Sequence, residues 1–319
     1  MTDGTIIANT GSAVRKKRKL RNLKENVELY LIMLPVLVHI FIFCYLPMYG
    51  IVIAFQDYLP GSSFISLDGS TKWVGLQHFS EFITNMYFWR LIKNTVVLSV
   101  LNLGLVFWTP ILFALLLNEV RAPFYRKFVQ TVSYLPHFVS AVVVAGMVIS
   151  FTNSDGILNQ VRALAGLTPV AYNNSPEAFP WVYTFTNIWK TFGFGSILYL
   201  SSMSAIDISL YEAARLDGAN RLKQMWHVTL PMIRPTITIM LIFAVGGLLS
   251  ANTEMILLLY NPATYQTADV VGTYIYRDAL LTGRFSYGTS VDIFTAIINF
   301  TLVFGANFVA RKTSDYSLW

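Results

Sequence analysis

The sequence contains 319 residues, of which 55% are hydrophobic and only 13% are charged. Its mean hydropathy of +0.53 reflects more apolar surface than a soluble domain of this length could enclose, so the composition favours an integral membrane protein. The single cysteine, Cys44, has no partner for an intramolecular disulfide. The formal net charge of +6 follows a pattern along the chain that indicates membrane orientation, and no nucleic-acid partner is expected.

Six apolar runs reach the length of roughly 20 residues that a helix needs to cross the hydrocarbon core. Their approximate bounds are 29–55, 95–117, 128–151, 180–205, 236–260 and 290–310. Helices are expected because backbone groups in lipid must satisfy one another within the segment, and no alternating pattern indicates a barrel. The predicted protein is therefore an all-α membrane protein with six transmembrane helices over 28–319, preceded by a basic tail over 1–27.

The Lys and Arg residues indicate which way these helices run. Sixteen of the 23 fall on one predicted side, in the tail, after the second run, between the fourth and fifth runs, and after the sixth. Six fall on the other side, and Lys190 lies inside the fourth run. Because cytoplasmic loops carry the excess of basic residues, both termini are predicted in the cytoplasm of a bacterial cell, with the tail on anionic lipid. No small-residue cleavage site follows the first run, so an uncleaved span is predicted.

The segment 211–231, YEAARLDGANRLKQMWHVTLP, is a charged and helix-prone stretch within the cytoplasmic loop 207–235. Ser209 and Glu212 have the spacing of a capping box, which predicts a helix start. Gly218 supplies a left-handed cap about two turns later, and a second helix is predicted over 221–229. The loop is therefore expected to form a helix, a sharp turn and a second helix.

A helix of about two turns is only marginally stable in water, because the free-energy cost of nucleation exceeds the gain from so few backbone hydrogen bonds. We therefore expect the first helix to dock on another surface. Ala213 and Ala214 leave one face of the helix without bulky side chains, so a partner could approach closely. Glu212, Arg215 and Asp217 form a charged rim that could orient the contact. These features predict a cytoplasmic docking element. The alternative from spacing alone is an ordinary helical loop, since capping boxes are common.

Seven positions of this loop form the pattern EAA-x3-G-x9-V-x-LP, made up of Glu212, Ala213, Ala214, Gly218, Val228, Leu230 and Pro231. The pattern resembles the EAA motif of ABC importer permeases, in which isoleucine stands where this chain has Val228. Segments such as QTVSYLPHFVSAVVVAGMV and LYNPATYQTADVVGTYIYRDAL further resemble oligosaccharide permeases of the carbohydrate uptake class, in the LplB-like branch.

The resemblance implies a type I ABC importer (MetI-like) permease fold with a cytoplasmic coupling helix. The implied partners are a second homologous permease forming a heterodimer, two ATP-binding subunits, an extracytoplasmic solute-binding protein, an oligosaccharide substrate and membrane lipid. The residues implied to couple to the ATPase are Glu212, Ala213, Ala214, Arg215, Asp217, Gly218, Leu230 and Pro231.

The chain carries no sign of its own energy source. It has no Gly-x4-Gly-Lys-Ser/Thr phosphate loop and no His-Glu-x-x-His pair, so we expect no enzyme activity and no cofactor here, with ATP and Mg²⁺ on the partner ATPase. An ion-coupled secondary transporter is the alternative class, but neither internal repeats nor broken helices are visible in the sequence. A non-sugar ABC permease for lipid or peptide also stays open.

Polar residues inside the fourth and fifth runs are candidates for the substrate pathway. Lys190 and Glu254 lie at depths where they could meet as an interhelical ion pair, since unpaired charges are costly in lipid. Asn187, Trp189 and Asn252 offer amides for sugar hydroxyls and a ring for the sugar's apolar face. The alternative for each amide is a helix-packing hydrogen bond.

Overall fold

The computed structural model describes residues 27–65, 71–313 and 317–318, and residues 1–26 of the predicted basic tail lie outside these ranges. Apart from one isolated bridge between Gln56 and Trp73, the described residues form helices and their connections. In chain order the helices are α1 (Val27–Phe55), α2 (Gln77–Ile83), α3 (Phe88–Asn118), α4 (Pro123–Phe138), α5 (Ala141–Thr152), α6 (Ile157–Leu164), α7 (Phe179–Ser204), α8 (Ile208–Leu216), α9 (Arg221–Met232), α10 (Arg234–Gly246), α11 (Thr253–Leu259), α12 (Tyr265–Ala268), α13 (Val271–Tyr274) and α14 (Phe285–Thr313).

Four of the six apolar runs correspond to continuous helices. Helices α1, α3, α7 and α14, which have 29, 31, 26 and 29 residues, cover the runs 29–55, 95–117, 180–205 and 290–310, apart from the last residue of the third run. By length and composition, the described helices supply four to six candidate spans, six if each of two bent helix pairs counts as one. The prediction of an all-α membrane protein is confirmed.

The other two apolar runs are broken, which corrects the expectation of unbroken helices. In the run 128–151, α4 ends at Phe138 and the chain is extended at Val139 and Ser140 before α5 begins. The Ser140 hydroxyl accepts a hydrogen bond from the Val143 backbone N–H at 3.3 Å. A side-chain cap of this kind gives the backbone a local alternative to the continuous helix, and hydropathy cannot detect it.

The second break lies in the run 236–260. α10 ends at Gly246, the chain is irregular over 247–252, and Asn252 caps α11 by accepting from the Met255 backbone N–H at 3.2 Å. Because α10 has 13 residues, it rises about 20 Å through a hydrocarbon core about 30 Å thick. The break therefore lies well inside the predicted span.

Helix α7 forms the centre of the described fold. It packs against α3 and α4 along its length, and its first half contributes Phe179 and Tyr183 to a core cluster with α5 and α11. Its second half contributes Tyr199 and Met203 to a cluster that ends at Ile233, near the start of α10. Thus α7 joins the two halves of the bundle.

A buried carboxylate holds the connection after α11 against the start of α3. Asp269 is fully buried and accepts two hydrogen bonds from Arg277, each at 3.0 Å, and one from Arg90 at 3.2 Å. The Thr273 hydroxyl donates to the same carboxylate at 2.8 Å. A buried charge with this many donors is costly to disturb, so the network fixes the position of α12 and α13.

Close contact between α4 and α7 depends on Gly193. A Cβ at this position would overlap the backbone carbonyl of Ser133, whereas a Cβ on Gly146 of α5 would meet nothing within 4 Å. We expect Gly193→Ala to destabilise the protein by about 1–3 kcal/mol, because the two helices must separate. The matched Gly146→Ala change should leave the melting temperature in detergent unchanged or slightly raised. Equal melting temperatures for both variants would contradict this packing.

Candidate functional sites

The break between α10 and α11 forms one wall of a polar cavity. The cavity has a volume of about 330 Å³ and lies between α3, α7 and residues 247–252. A π turn over Asn102–Val106 interrupts α3 where it faces the cavity. The polar side chains that line it are Ser99, Asn102, Asn187, Thr191, Ser250 and Asn252.

Side chains from three other helices satisfy the irregular backbone. The Leu249 N–H donates to the Asn299 side-chain oxygen of α14 at 3.0 Å, and the Asn252 N–H donates to the Tyr183 hydroxyl of α7 at 3.1 Å. The Ser99 hydroxyl of α3 donates to the carbonyl of residue 248. Non-helical backbone is tolerated at this depth only where protein surrounds it or a polar cavity adjoins it, and both conditions hold here.

Two amide groups on the cavity wall keep unused hydrogen-bonding capacity. Asn187 is 5% exposed, and its side-chain N–H₂ group makes no hydrogen bond of good geometry within the described residues, although it lies close enough to the Tyr183 hydroxyl to interact with it. The Asn102 side-chain oxygen likewise has none, although its N–H₂ group donates to Tyr183 at 3.3 Å. A buried donor and a buried acceptor left unpaired are unfavourable. Both atoms are buried behind the cavity surface, so rotation of the two amide groups would present them to a polar ligand in the cavity.

The structure brings together only part of the predicted pathway set. Asn187 and Asn252 line the polar cavity, but Trp189 lies on another face of α7. There it lines an apolar groove of about 520 Å³ with Trp181 and Phe185. Residues 187 and 189 point about 200° apart on a helix, so the predicted combination of amide and stacking ring at one site is not formed.

The ion pair considered between Lys190 and Glu254 is also not formed, since neither residue makes a salt bridge within the described ranges. The break redirects the chain before α11, so the depth estimate from one continuous helix fails. Glu254 lies exposed in the first turn of α11, where a helix end favours a carboxylate without a lysine partner.

The sequence patterns do not single out Thr191, which lines the cavity, or Tyr183, which is buried behind its wall. Tyr183 has no exposed surface, and its hydroxyl joins Asn102 to the backbone of Asn252. The spacing of Tyr183, Asn187 and Thr191 is i, i+4 and i+8, which places them on one face of a helix. This polar stripe within an apolar run is the sequence pattern that could identify Tyr183 and Thr191.

Helix α8 starts two residues earlier than predicted. Its N-cap is Asp207, whose carboxylate accepts from the Ser209 backbone N–H at 2.9 Å, and the Ser209–Glu212 capping box is not formed. Hydrogen bonds from Ser209 hold the pKa of Asp207 below its ordinary value. Aspartate is a strongly preferred N-cap residue, and here it takes the place predicted for Ser209.

The end of α8 confirms the left-handed cap at Gly218. Its φ is +76°, its N–H donates to the Arg215 carbonyl at 3.0 Å, and the Ala219 N–H donates to the Ala214 carbonyl at 2.9 Å. This pair of bonds is the Schellman arrangement, which closes a helix. Asn220 then caps α9 by accepting from the Lys223 N–H at 2.9 Å.

Helix α9 extends past its predicted end at 229. A π turn over Met225–Thr229 precedes Pro231, and the axis bends by 62° only between Met232 and α10. The change of hydrogen-bond register at the π turn accommodates a residue without an N–H. The Tyr211 hydroxyl of α8 lies 2.9 Å from the Thr229 hydroxyl and joins the two helices.

The eight residues that the resemblance implies as ATPase-coupling divide into an outward-facing and an anchoring group. Leu230 packs against the core cluster that contains Ile233, and Ala214 is half-buried. The outward-facing residues are Glu212, Ala213, Arg215, Asp217, Gly218 and Pro231. Large apolar side chains that the sequence reasoning did not single out also face outwards, namely Leu216, Leu222 and Trp226, with exposures of 90%, 64% and 64%.

Metal binding has no support in the described ranges, where no group of three or more His, Cys, Asp and Glu side chains could hold an ion. The two features that the residues build are therefore a polar cavity in the bundle and an exposed helical turn at one end of it. Helix α7 leads directly from the first to the second.

Comparison with known proteins assigns the chain to a family. The sequence pattern of the family described as the binding-protein-dependent transport system inner membrane component matches residues 107–315, more than half of the chain. The chain therefore belongs to this family of membrane transport components. The family confirms the predictions of a transport subunit, as opposed to an enzyme, and of a MetI-like fold.

Individual relatives are similar over nearly the full length. The polygalacturonan/rhamnogalacturonan transport system permease protein YteP of Bacillus subtilis strain 168 is 42% identical over 306 residues, covering 96% of this chain and 94% of that protein. Protein LplB of the same strain is 39% identical over 299 residues, covering 93% and 92%. The resemblance to sugar permeases of the LplB-like branch is confirmed.

Solved structures agree in fold. A chain from the crystal structure of a bacterial ABC transporter involved in the import of the acidic polysaccharide alginate gives a TM-score of 0.83 at 41% identity, covering 93% of this chain and 99% of that one. A chain from the alginate transporter in complex with an alginate pentasaccharide-bound periplasmic protein gives a TM-score of 0.84 at 40% identity, with the same coverage.

The Schellman closure predicts different effects for two substitutions of Gly218. A β-branched residue at φ +76° is strained by roughly 1–2 kcal/mol, so Gly218→Val should speed amide hydrogen exchange at Gly218's position and at Ala219 by about tenfold. Gly218→Asn should retain most of the protection, because Asn tolerates the left-handed region. The two variants would refute the cap if they exchanged at the same rate.

Proposed function

We propose that this chain is the transmembrane permease subunit of an ATP-driven ABC importer that takes up oligosaccharides delivered by a solute-binding protein. The observation that carries the proposal is the polar cavity at the break in the fifth apolar run, with the Asn187 side-chain N–H₂ group and the Asn102 side-chain oxygen available at its wall. The sugar transport functions of YteP and of the alginate importer, to which the chain is similar, support the substrate class.

In this proposal the cavity holds sugar hydroxyls as they pass. The Asn187 N–H₂ group donates to one hydroxyl oxygen, and the Asn102 side-chain oxygen accepts from another. Weak and few contacts suit transport, because a solute must leave the site as readily as it enters. Asn252 and Glu254 are exposed on the described chain, and we assign that side of the pathway to a second, homologous permease.

The outward-facing residues of α8 dock on a separate ATP-binding subunit, which supplies ATP, Mg²⁺ and the motion. Bends of 73° between α7 and α8 and 62° between α9 and α10 make the α8–α9 segment a lever between two helices of the bundle. Helix α7 carries Asn187, and α10 leads to the break, so displacement of α8 reaches both walls of the cavity. This arrangement requires both termini and the α8–α9 segment to lie in the cytoplasm.

The cavity assignment is tested by Asn187→Ala in the reconstituted importer. Loss of one hydrogen bond to sugar, about 1 kcal/mol, should raise the KM for uptake roughly fivefold while the complex assembles normally. The control is Thr186→Val, since Thr186 is equally buried but lines the apolar groove. Unchanged uptake kinetics in Asn187→Ala would remove the cavity from the pathway.

The class of transporter is tested with the same preparation. Uptake should stop when the ATP-binding subunits are omitted or when a non-hydrolysable ATP analogue replaces ATP. Sugar uptake by the permeases alone, driven by an ion gradient, would contradict an ABC importer and favour a secondary transporter, a class in which broken helices are also common.

A further inference from the structure

A second concave surface lies beside α8, at the cytoplasmic end of the bundle in the proposed orientation. It is a cleft of about 560 Å³ between the turn after α3, the end of α8 and the start of α9. Its lining comes from three separate parts of the chain, around residues 118–121, 211–215 and 219–224. The cleft is thus built by the tertiary fold and not by one loop.

The cleft has an excess of positive charge. Three arginines line it, Arg121, Arg215 and Arg221, against one carboxylate, Glu119, which leaves a net charge of about +2. Arg221 is already paired, since its Nη1 lies 3.7 Å from a Glu119 carboxylate oxygen and donates to the Glu119 backbone carbonyl at 3.2 Å. The guanidinium groups of Arg121 and Arg215 have no hydrogen bond or ion pair within the described residues.

Unpaired cations inside a concave surface raise the local positive potential and attract anions. A guanidinium group also binds a carboxylate through two parallel hydrogen bonds, which gives geometric selectivity as well as attraction. The chemistry that fits this cleft is therefore one or two carboxylates presented on a protruding segment.

The position of the cleft indicates where such a segment comes from. Arg215 and Arg221 are each followed in sequence by a highly exposed leucine, Leu216 at 90% and Leu222 at 64%. Apolar side chains flanked by charged groups are typical of a protein interface, in which the apolar contacts supply affinity and the charges fix the register. The cleft and the proposed docking face of α8 are therefore continuous.

We propose that this arginine-lined cleft receives an acidic side chain or short acidic segment of the ATP-hydrolysing subunit. Arg121 and Arg215 pair with the incoming carboxylate, while Glu119 holds Arg221 at the wall of the cleft. Because Arg121 follows α3 and Arg215 belongs to α8, one carboxylate joins the ATPase to two helices of the permease at once. The inference depends on the proposed function and adds a contact beyond the EAA motif.

The test measures binding of the purified ATP-hydrolysing subunit to the permease pair in nanodiscs of phosphatidylcholine. Arg121→Glu and Arg215→Glu should each raise the Kd by about tenfold or more, with the largest effect at low salt. Lys223→Glu is the matched control, since Lys223 is an exposed α9 cation outside the cleft, and its Kd should change less than about twofold. Arg121→Gln and Arg215→Gln should give intermediate losses.

Three outcomes would overturn the proposal. The first is a Kd for both cleft variants equal to that of Lys223→Glu. The second is a loss that appears only when phosphatidylglycerol is added, which would assign the cleft to lipid headgroups. The third is failure of every acid-to-Arg change on the ATPase surface to restore binding to Arg215→Glu. If the wild-type complex transports sugar and the cleft variants bind the ATPase normally, only the cleft inference fails. A wild-type complex without ATP-dependent uptake contradicts the proposed function itself.

Discussion

The structure depends on the requirement that every backbone polar group at membrane depth has a partner. Residues 247–252 cannot meet this requirement through helical hydrogen bonds, because they leave the helix while still inside the predicted fifth span. Asn299, Tyr183 and Ser99, from three different helices, supply the missing partners. The break is therefore stable only in the assembled bundle, and the polar cavity beside it exists for the same reason.

The same helices link this cavity to the end of the bundle that carries α8 and α9. Helix α7 carries Tyr183 and Asn187 in its first half and reaches the core cluster under α8 and α9 with its second half. The hydroxyl contact between Tyr211 and Thr229 holds α8 against α9, and α9 leads into α10. A rigid connection of this kind transmits displacement because packed helices move as bodies and deform little.

Sequence patterns predict the long regular helices of this fold, but they do not predict the helix ends that individual side chains and tertiary contacts determine. Hydropathy locates α1, α3, α7 and α14 because each is apolar over a full span, and glycine spacing locates the cap at Gly218. The breaks before α5 and α11 were missed because single side chains, Ser140 and Asn252, stop or start a helix inside an apolar run. Hydropathy averages over such residues.

The candidate sites divide in the same way. The loop 207–235 follows a spaced motif, and the sequence predicts its two helices and the turn at Gly218, but not the cap at Asp207 or the exposure of Leu216. Asn187 and Asn252 stand out in the sequence because amides are unusual in apolar runs, and both line the cavity. Trp189 is predicted beside them because it lies near the same depth, but it lines the groove on another face of α7. The helical period separates residues that the sequence places side by side.

The central claim, that the break in the fifth span is a wall of the sugar pathway, can be tested by site-specific photo-crosslinking. A photo-reactive amino acid is placed at position 250 on the break or at position 189 in the apolar groove, and the complete importer is supplied with labelled oligosaccharide, binding protein and ATP. The account predicts that label attaches at position 250, depends on ATP and is absent at position 189. Label at position 189 with none at position 250 would contradict it.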